Sequence, residues 1–249
     1  MCNLYTPVSA RRLAAQFGKV AMKEGLREWG SYVAPLKPGP YIKQDAALEV
    51  GQWGMIAADN KTRLPRGQTN NARFEDILSR RTYAPSWLAG MRCLIPAESF
   101  IEPYYPGHDP KVKSIAWRFA RADGEAWALA GIWSEWTDPE TGEVVPNYTM
   151  LTQNCDGHPL LALMHKPEID RKTGAVLPPT QQDKRAVVPI ERDKWDEWLH
   201  CDLDQAGALV KLPAPDIFRH AADNLAKNIP LPGNAAIGQI ASEDSGGLF

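Results

Sequence analysis

The chain has 249 residues, of which 44% are hydrophobic and 23% are charged, and its formal net charge is −2 at pH 7. A chain of this length can bury roughly 70–75% of its unfolded surface, so it needs no disulfides or metals to fold. The near-neutral charge excludes a protein that is basic over its whole surface, so any surface for nucleic acid must be a local patch.

The sequence also restricts the compartment and the cofactors. It contains no membrane-length apolar run and no apolar signal segment. Neither C-x-x-C nor metal-ligand spacing occurs among the four cysteines, Cys2, Cys93, Cys155 and Cys201. We therefore expect a cytoplasmic protein, nucleoid-associated when acting, that is monomeric, keeps its thiols free and uses no metal, cofactor or membrane.

The first two residues, Met1 and Cys2, offer a specific chemistry. Cys2 is small enough for an aminopeptidase to remove Met1, which would leave an α-amine and a thiol on adjacent carbons. An α-amine with a pKa of roughly 7.7–8.0 is partly neutral near pH 7 and can condense with an aldehyde, after which the thiol can close a thiazolidine ring. The same thiol could act as an N-terminal nucleophile with its own amine as the base. Alternatively, Cys2 belongs to a disordered terminus.

The first part of the chain predicts one helix and one strand. Ser9 can cap a helix that runs to Phe17 and ends at Gly18. Residues 48–53 alternate in polarity like a strand. The segment 61–81 is the most basic part of the chain, with six arginines or lysines against two acidic residues. Such a run is typical of a solvated loop and helix face, and it also suits a phosphate backbone.

The rest of the chain predicts mainly short strands. Residues 91–96 and 99–102 indicate two strands interrupted at Pro96, and similar patterns follow at residues 114–119, 127–136, 147–152 and 184–189. Helices are predicted at residues 191–199 and 216–227. This pattern favours an α+β fold, with one domain (1–229) built on a curved antiparallel β-sheet or barrel with short peripheral helices. A weakly ordered tail (230–249) follows.

Several side chains in the first half could contact a nucleic acid. Asn71 can donate and accept hydrogen bonds, so it could orient an amine or a sugar hydroxyl, or it could simply cap a turn. Arg73, two residues later, can bind a phosphate through two hydrogen bonds. Tryptophans such as Trp53 can stack on unpaired bases or belong to the core.

Two titratable residues could transfer protons. Glu102 ends an apolar strand, where apolar neighbours can raise the pKa of a carboxyl group and suit it to general-acid catalysis. His165 follows the apolar run 160–164 and could shuttle protons. The pattern alone does not separate Glu102 from Glu98, or His165 from His158, and each could instead be a surface or structural residue.

Taken together and in this order, these segments resemble the SOS-response-associated peptidase (SRAP) family of abasic-site processing proteins. The resemblance extends from Met1 to about Leu199. It rests on Met1-Cys2 with Tyr5, Ala34-Pro35, Trp53-Gly54, Asn71-Ala72-Arg73-x-Glu75, Arg92-Cys93-Leu94-Ile95-Pro96-Ala97 through Phe100-x-Glu102, Ala130-Gly131-Ile132-Trp133, Leu151-Thr152, His165, and Trp195-x-x-Trp198-Leu199.

The resemblance implies a covalent reaction. Cys2, exposed by removal of Met1, would form a thiazolidine crosslink with the ring-opened sugar of an abasic site in single-stranded DNA and so shield the lesion in the SOS response. Asn71 would orient the Cys2 amine and the adduct. Glu102 and His165 would shuttle protons as the sugar opens, the imine forms and the adduct reverses.

The resemblance also implies DNA contacts. Arg73 would clamp a phosphate, and Arg185 would be a second clamp. Trp53 is a further candidate for contact with DNA, through stacking on a base.

The sequence departs from the family pattern at three places. Asn3-Leu4 stand where family members commonly have Gly-Arg, so one basic contact is missing. Pro103 replaces an aromatic residue, so any wedging between bases falls to Tyr104, to Tyr105 or to no residue. Residues 166–184 resemble an insertion between the histidine and the next strand.

Two other functions fit parts of the sequence. An N-terminal-nucleophile thiol peptidase or amidase would turn over amides in trans without needing an aldehyde. A non-covalent single-strand binding module would hold intact and abasic strands equally well.

Overall fold

The computed structural model describes residues 2–18, 21–22 and 28–223. Eleven strands within these ranges belong to one connected sheet. They are β1 (Leu4–Pro7), β2 (Ala21–Met22), β3 (Pro38–Ile42), β4 (Ala47–Trp53), β5 (Asn71–Arg73), β6 (Arg92–Tyr104), β7 (Ile115–Arg121), β8 (Trp127–Thr137), β9 (Val144–Asn154), β10 (Arg185–Val187) and β11 (Phe218–Ala222). The predicted tail, residues 230–249, lies outside the described residues.

Short helices surround the sheet, and none in the described ranges has the length and apolarity needed to cross a membrane. The α-helices are α1 (Ala10–Phe17), α2 (Ala84–Leu88), α3 (Trp195–His200) and α4 (Leu203–Leu209). Six 3₁₀ turns accompany them: Phe74–Ser79, Pro106–His108, Leu161–Leu163, Pro179–Gln181, Arg192–Lys194 and Pro215–Ile217. As predicted, the Ser9 hydroxyl caps α1 by accepting a hydrogen bond from the Arg12 amide, and Gly18 ends the helix at φ 74°.

Five strands close into a barrel in the order β3, β4, β9, β8 and β6. Antiparallel pairing joins β6 to β8, β8 to β9 and β3 to β4, whereas β4 and β9 run parallel, with Trp53 opposite Tyr148. The ring closes where Ile42 lies opposite Leu94. The predicted α+β fold with a sheet curved into a barrel is therefore confirmed, although β4 and β9 make one barrel pair parallel.

Tyr5 anchors the start of the chain to this barrel. Its backbone bonds to Val33 in both directions, at 3.1 and 2.9 Å, while β1 pairs with β6 on the other side. Its hydroxyl lies 2.6 Å from that of Tyr148. Gly39 makes room for this pair, because a Cβ there would clash with both hydroxyls. The third residue after Cys2 is thus held from several sides.

Two large buried clusters stabilise the fold, beside a small one of Ile56, Trp136 and Val145. One contains Cys2 together with Tyr5, Trp53 and many strand residues. The other fastens the helices to the sheet through side chains such as Leu13 and Trp198. Full burial of one large apolar side chain contributes about 1.5–3 kcal/mol. Cys2 thus contributes to the first cluster, whereas the second cluster holds the helices against the sheet.

The predicted interruption at Pro96 is wrong, because residues 92–104 form the single strand β6. Pro96 lies opposite Ala128 of β8, and its carbonyl accepts a hydrogen bond from Val8. Immediately afterwards the register with β1 skips Glu98, and β6 acquires β7 as a partner from Phe100 onwards. A proline is tolerated beside such a bulge, where regular pairing is already interrupted.

The predicted helix at 216–227 is also wrong within the described residues. Pro215–Ile217 is a single 3₁₀ turn, and Phe218–Ala222 pairs with β7 as an antiparallel strand. Phe218 and His220 both contact the ring of Phe119. The exposed edge of β7 and this aromatic contact decide the conformation, and neither is visible in the local sequence. Residues 224–227 lie outside the described residues.

Candidate active site

Cys2 lies in the core and is not part of a loose terminus. β1 runs antiparallel to β6 with Leu4 opposite Ile101, so the chain before Leu4 leads toward the end of β6. The Cys2 side chain is fully buried, and its thiol donates to the Leu4 carbonyl at 3.4 Å. The Cys2 carbonyl accepts hydrogen bonds from Nδ2 of Asn71 at 2.6 Å and of Asn70 at 3.1 Å. Two amides therefore fix the position of the Cys2 backbone.

Asn71 begins β5, whose parallel pairing with β9 places it opposite Met150. Tyr83 donates its hydroxyl to the Asn71 backbone carbonyl at 3.3 Å. Asn71 Oδ1 is buried and has no hydrogen-bond partner among the described residues. The side chain thus donates to Cys2 and keeps an acceptor for an amine or a hydroxyl. The role of Asn70 is not predicted from the sequence, although its position next to Asn71 could have indicated it.

Glu102 is a buried carboxyl group without the usual hydrogen bonds. It is 2% exposed, and neither of its carboxyl oxygens has a hydrogen-bond partner among the described residues. Oε2 lies 3.4 Å from His165 Nε2. Since burial without partners disfavours the charged form, it raises the pKa of Glu102 to about 7. Near neutral pH this carboxyl group can hold a proton and release it.

His165 reaches Glu102 from a turn that follows the Leu161–Leu163 3₁₀ helix. Its backbone has φ 64°, and its amide donates to the Pro103 carbonyl at 2.6 Å. Nε2 lies 2.9 Å from the Arg185 carbonyl. A carbonyl can only accept, so Nε2 carries the proton and Nδ1 is the basic nitrogen of the neutral ring. Burial lowers the pKa of His165 to about 3, which keeps the ring neutral near pH 7.

The competing carboxyl group and histidine occupy different settings. Glu98 forms an ion pair at 2.5 Å with Arg12 on the surface. His158 uses Nε2 to donate to the Pro213 carbonyl and Nδ1 to accept from the amides of Leu160 and Leu161. Both nitrogens of His158 are therefore engaged in supporting a loop. The structure brings Glu102 and His165 together and leaves the other two apart.

The thiols of the site are protonated at neutral pH. Burial raises the pKa of the Cys2 thiol well above its usual value, and the negative charge of Glu102 acts in the same direction. Cys155 is also buried, which raises the pKa of its thiol to about 12, with a further contribution from Glu102. Glu102 therefore lies close enough to influence both thiols, and neither is a ready thiolate.

Arg73 lines a basic groove of about 550 Å³. The groove is lined by Asn71 and four arginines, Arg66, Arg73, Arg80 and Arg81. The Arg73 side chain is 39% exposed and forms an ion pair with Asp183 at 3.0 Å. Arg185 is 10% exposed and pairs with Glu75 at 2.5 Å and with Asp183 at 2.6 Å. Arg73 is thus accessible, whereas carboxylates enclose Arg185.

The aromatic candidates are less accessible. Trp53 is fully buried, packs edge-to-face on Tyr5 at 5.2 Å and donates to the Asn70 carbonyl at 2.7 Å. In this position Trp53 supports Asn70 and cannot stack on a base. Tyr104 is also buried, against Trp117, and Tyr105 is half-buried. Of the proposed DNA contacts, Arg73 is the one with an exposed side chain.

Over residues 1–222, the sequence matches the SOS response associated peptidase (SRAP) family. The chain belongs to this family. The matched residues include every candidate named above, from Cys2 to Arg185, so the fold and the site belong to one SRAP domain.

SRAP relatives include abasic site processing proteins from animals and bacteria. The protein HMCES of Gallus gallus is 26% identical over 215 residues, which cover 70% of this chain and 63% of the chicken protein. The protein YoqW of Bacillus subtilis strain 168 is 32% identical over 101 residues, which cover 41% of this chain and 43% of YoqW. The matched segments therefore span less than two thirds of either relative.

Solved structures share the architecture. A protein of Bordetella bronchiseptica has a TM-score of 0.74 and 25% identity, over 89% of this chain and 99% of its own. A protein of Bacteroides thetaiotaomicron has a TM-score of 0.66 and 16% identity, over 89% of this chain and 91% of its own. At that identity the second likeness concerns the fold alone.

Proposed function

We propose that this SRAP protein captures abasic sites in single-stranded DNA as a thiazolidine crosslink to Cys2, once Met1 has been removed. The observation that carries the proposal is the convergence of Cys2, Asn71, Glu102 and His165, from four separate parts of the chain, around one buried site. The names of the relatives point to an abasic-site substrate, and the opened sugar presents the aldehyde that an aminothiol captures.

The reaction begins with opening of the deoxyribose ring. Protonated Glu102 delivers a proton to the ring oxygen, and Nδ1 of His165 accepts the proton of the anomeric hydroxyl. The raised pKa of Glu102 and the lowered pKa of His165 supply the required forms, an acid that holds a proton and a base that lacks one. Each group is expected to accelerate its step by ~10²–10⁴-fold.

Crosslinking then joins Cys2 to the aldehyde carbon. The α-amine attacks the carbonyl, and the resulting carbinolamine loses one water, with a proton from the Glu102–His165 pair, to give an imine. The sulfur adds to the imine carbon, and the thiol proton passes to the nitrogen, which closes the thiazolidine. Asn71 Oδ1 accepts a hydrogen bond from the attacking amine. The balance is one aldehyde plus one aminothiol, giving one thiazolidine and one water.

The protonation state of the thiol favours this route over the peptidase alternative. A thiol peptidase needs a thiolate, which requires a lowered thiol pKa. Here burial and Glu102 raise the pKa of the Cys2 thiol. In thiazolidine formation the amine attacks first, and the thiol then adds to an activated imine, so a protonated thiol is compatible with the reaction.

The sugar-phosphate backbone of the single-stranded DNA is proposed to follow the arginine groove next to Asn71. Arg73 binds a phosphate there after exchanging Asp183 for it, since a guanidinium forms bidentate hydrogen bonds with phosphate as well as with carboxylate. Arg185 remains paired with Glu75 and Asp183 and supports the site through its backbone carbonyl.

A denaturing gel tests the proposal. The protein lacking Met1 is incubated with an abasic single strand, and we expect a heat-stable adduct whose mass equals protein plus DNA minus one water. Cys2→Ala abolishes it, whereas Cys93→Ala, Cys155→Ala and Cys201→Ala retain it. A stable adduct with Cys2→Ala would overturn the mechanism. Equal, non-covalent retention of intact and abasic strands by the wild type would favour a simple binding module.

A further inference from the structure

Lys184 is a buried lysine close to His165 and is not one of the residues that carry the proposed reaction. The residue is 2% exposed, and Nζ donates hydrogen bonds to the carbonyls of His165 at 2.8 Å and of Lys166 at 2.9 Å. Its own backbone is fixed, because its amide donates to Asp156 Oδ1 at 2.7 Å and its carbonyl accepts from Cys155 at 2.9 Å. Lys184 therefore connects the His165 turn to the end of β9.

The His165 turn requires such support. A non-glycine residue with φ 64° occupies an unfavourable backbone region and persists there only where its surroundings hold it. The Pro103 carbonyl holds the His165 amide, and the Arg185 carbonyl holds its ring. The Lys184 ammonium donates hydrogen bonds to the backbone carbonyls of His165 itself and of the next residue, Lys166.

We propose that Lys184 is a positioning residue for the proton transfer: its buried ammonium holds His165 in the left-handed turn that brings the imidazole to Glu102. This inference rests on the proposed function. Lys184 acts through His165 and makes no contact with the reacting atoms.

The ammonium also has an electrostatic effect. Burial is the main cause of the lowered pKa of His165, and the charges of the N-terminal amine and, more weakly, of Lys184 act in the same direction. Among the described residues, the groups that face His165 include Glu102 from β6, Arg185 from β10 and Lys184 from the loop just before β10. The titratable groups around Lys184 itself are Cys155, Asp156, Glu168 and His108. Burial lowers the pKa of Lys184 to about 8, so it stays mostly charged at pH 7.

Single-turnover crosslinking at saturating abasic single strand tests the role. Lys184→Met is expected to slow crosslinking roughly 10- to 100-fold without changing DNA affinity, because a displaced catalytic group loses its geometry. If Lys184 acts only through His165, adding Lys184→Met to His165→Ala lowers the rate no further. The exposed Lys166 supplies the matched control, and Lys166→Met should leave the crosslinking rate at saturation unchanged.

A second readout does not depend on the reaction. The titration midpoint of His165, followed by NMR of its ring, should move upward in Lys184→Met and stay in place in Lys166→Met. Should Lys184→Met not fold, Lys184→Arg replaces it in the rate measurement. Because arginine keeps the charge but not the two hydrogen bonds of the ammonium, its rate loss must vanish in the His165→Ala background and the His165 midpoint should stay in place.

Three outcomes separate the possible failures. An inactive wild type, with no adduct, refutes the proposed function. An active wild type with a slow His165→Ala variant, but with Lys184→Met at the wild-type rate and midpoint, refutes the role of Lys184. An additional rate loss in the double variant refutes a role that acts through His165.

Discussion

Two regions flank Asn71, and they differ in how their charges are compensated. On one side, Glu102 is buried and His165 is half-buried, and the carboxyl oxygens of Glu102 have no hydrogen-bond partner among the described residues. On the other side, Arg73 lies in a groove and already has a carboxylate partner in Asp183. Desolvation shifts the pKa values of Glu102 and His165, whereas the charge of Arg73 is compensated by a partner that the proposed DNA complex would replace.

The largest effect is expected where the buried pair is broken. Glu102→Gln keeps the shape of the side chain but removes its acidic proton, so crosslinking should slow by roughly 10²–10⁴-fold. The loss should be greater on closed-ring abasic sites than on a strand that already presents a free aldehyde. His165→Ala should slow formation and also exchange of a preformed adduct onto a competitor strand, because reversal uses the same proton transfers.

Single-turnover gels measure both rates. Glu98→Gln and His158→Ala are the matched controls, since Glu98 pairs with Arg12 and His158 supports a loop. If Glu102→Gln and His165→Ala keep the wild-type rates while the control variants lose them, the buried pair has no catalytic role.

The second prediction concerns the stability cost of the buried carboxyl group. The pKa of Glu102 is about 7 in the folded state and about 4.5 in the unfolded chain. Between these values the folded state binds more protons, so stability falls as the pH rises through this window. The free energy of unfolding of Glu102→Gln, relative to the wild type, should therefore increase by up to roughly 3 kcal/mol as the pH rises from 4 to 8.

Urea unfolding at the two pH values measures this difference. His165→Ala is the contrasting variant. A histidine with a lowered folded-state pKa costs stability as the pH falls from about 6.5 toward 3, so its effect belongs to the acidic window. If the stability difference between Glu102→Gln and the wild type is the same at pH 4 and pH 8, ionisation of Glu102 does not destabilise the folded state.

The third prediction tests the arginine groove. Arg73→Ala should weaken binding to any single strand and reduce the salt dependence by about one phosphate contact. Arg12→Ala is the control, because Arg12 is also exposed and paired with a carboxylate but does not line the groove. Binding titrations at several salt concentrations give the slope, and an unchanged slope would make Arg73 purely structural.

The smallest effect is expected from replacing Asp183, the carboxylate that forms an ion pair with Arg73. Asp183→Asn removes this competitor, and since exposed ion pairs contribute about 0.2–1 kcal/mol, affinity for single strands should rise at most about fivefold. Asparagine also tolerates the φ of 50° at this position. Glu197→Gln, which breaks the surface pair with Lys194, is the control. A fall in affinity would mean that Asp183 is needed to orient its arginines.

Local signals in the sequence were sufficient for some elements. Ser9, Phe17 and Gly18 define α1 because a helix cap and its terminator involve neighbours in sequence. Pro96 and the segment 216–227 misled the prediction because their conformations depend on β1 and β7, which are distant in sequence. Lys184 was missed for the same reason, since a lysine in a loop reveals its burial only once its carbonyl partners are known.

The sequence by itself determined which functional groups the protein has, because residue identity fixes an aminothiol at Cys2, a carboxyl group at Glu102 and an imidazole at His165. Their order along the chain was enough to indicate the SRAP family. Only the tertiary structure places Glu102 beside His165 and gives Glu98 and His158 other partners. Burial and charge compensation depend on residues far away in the chain, and these set both the pKa of a group and the partner it faces.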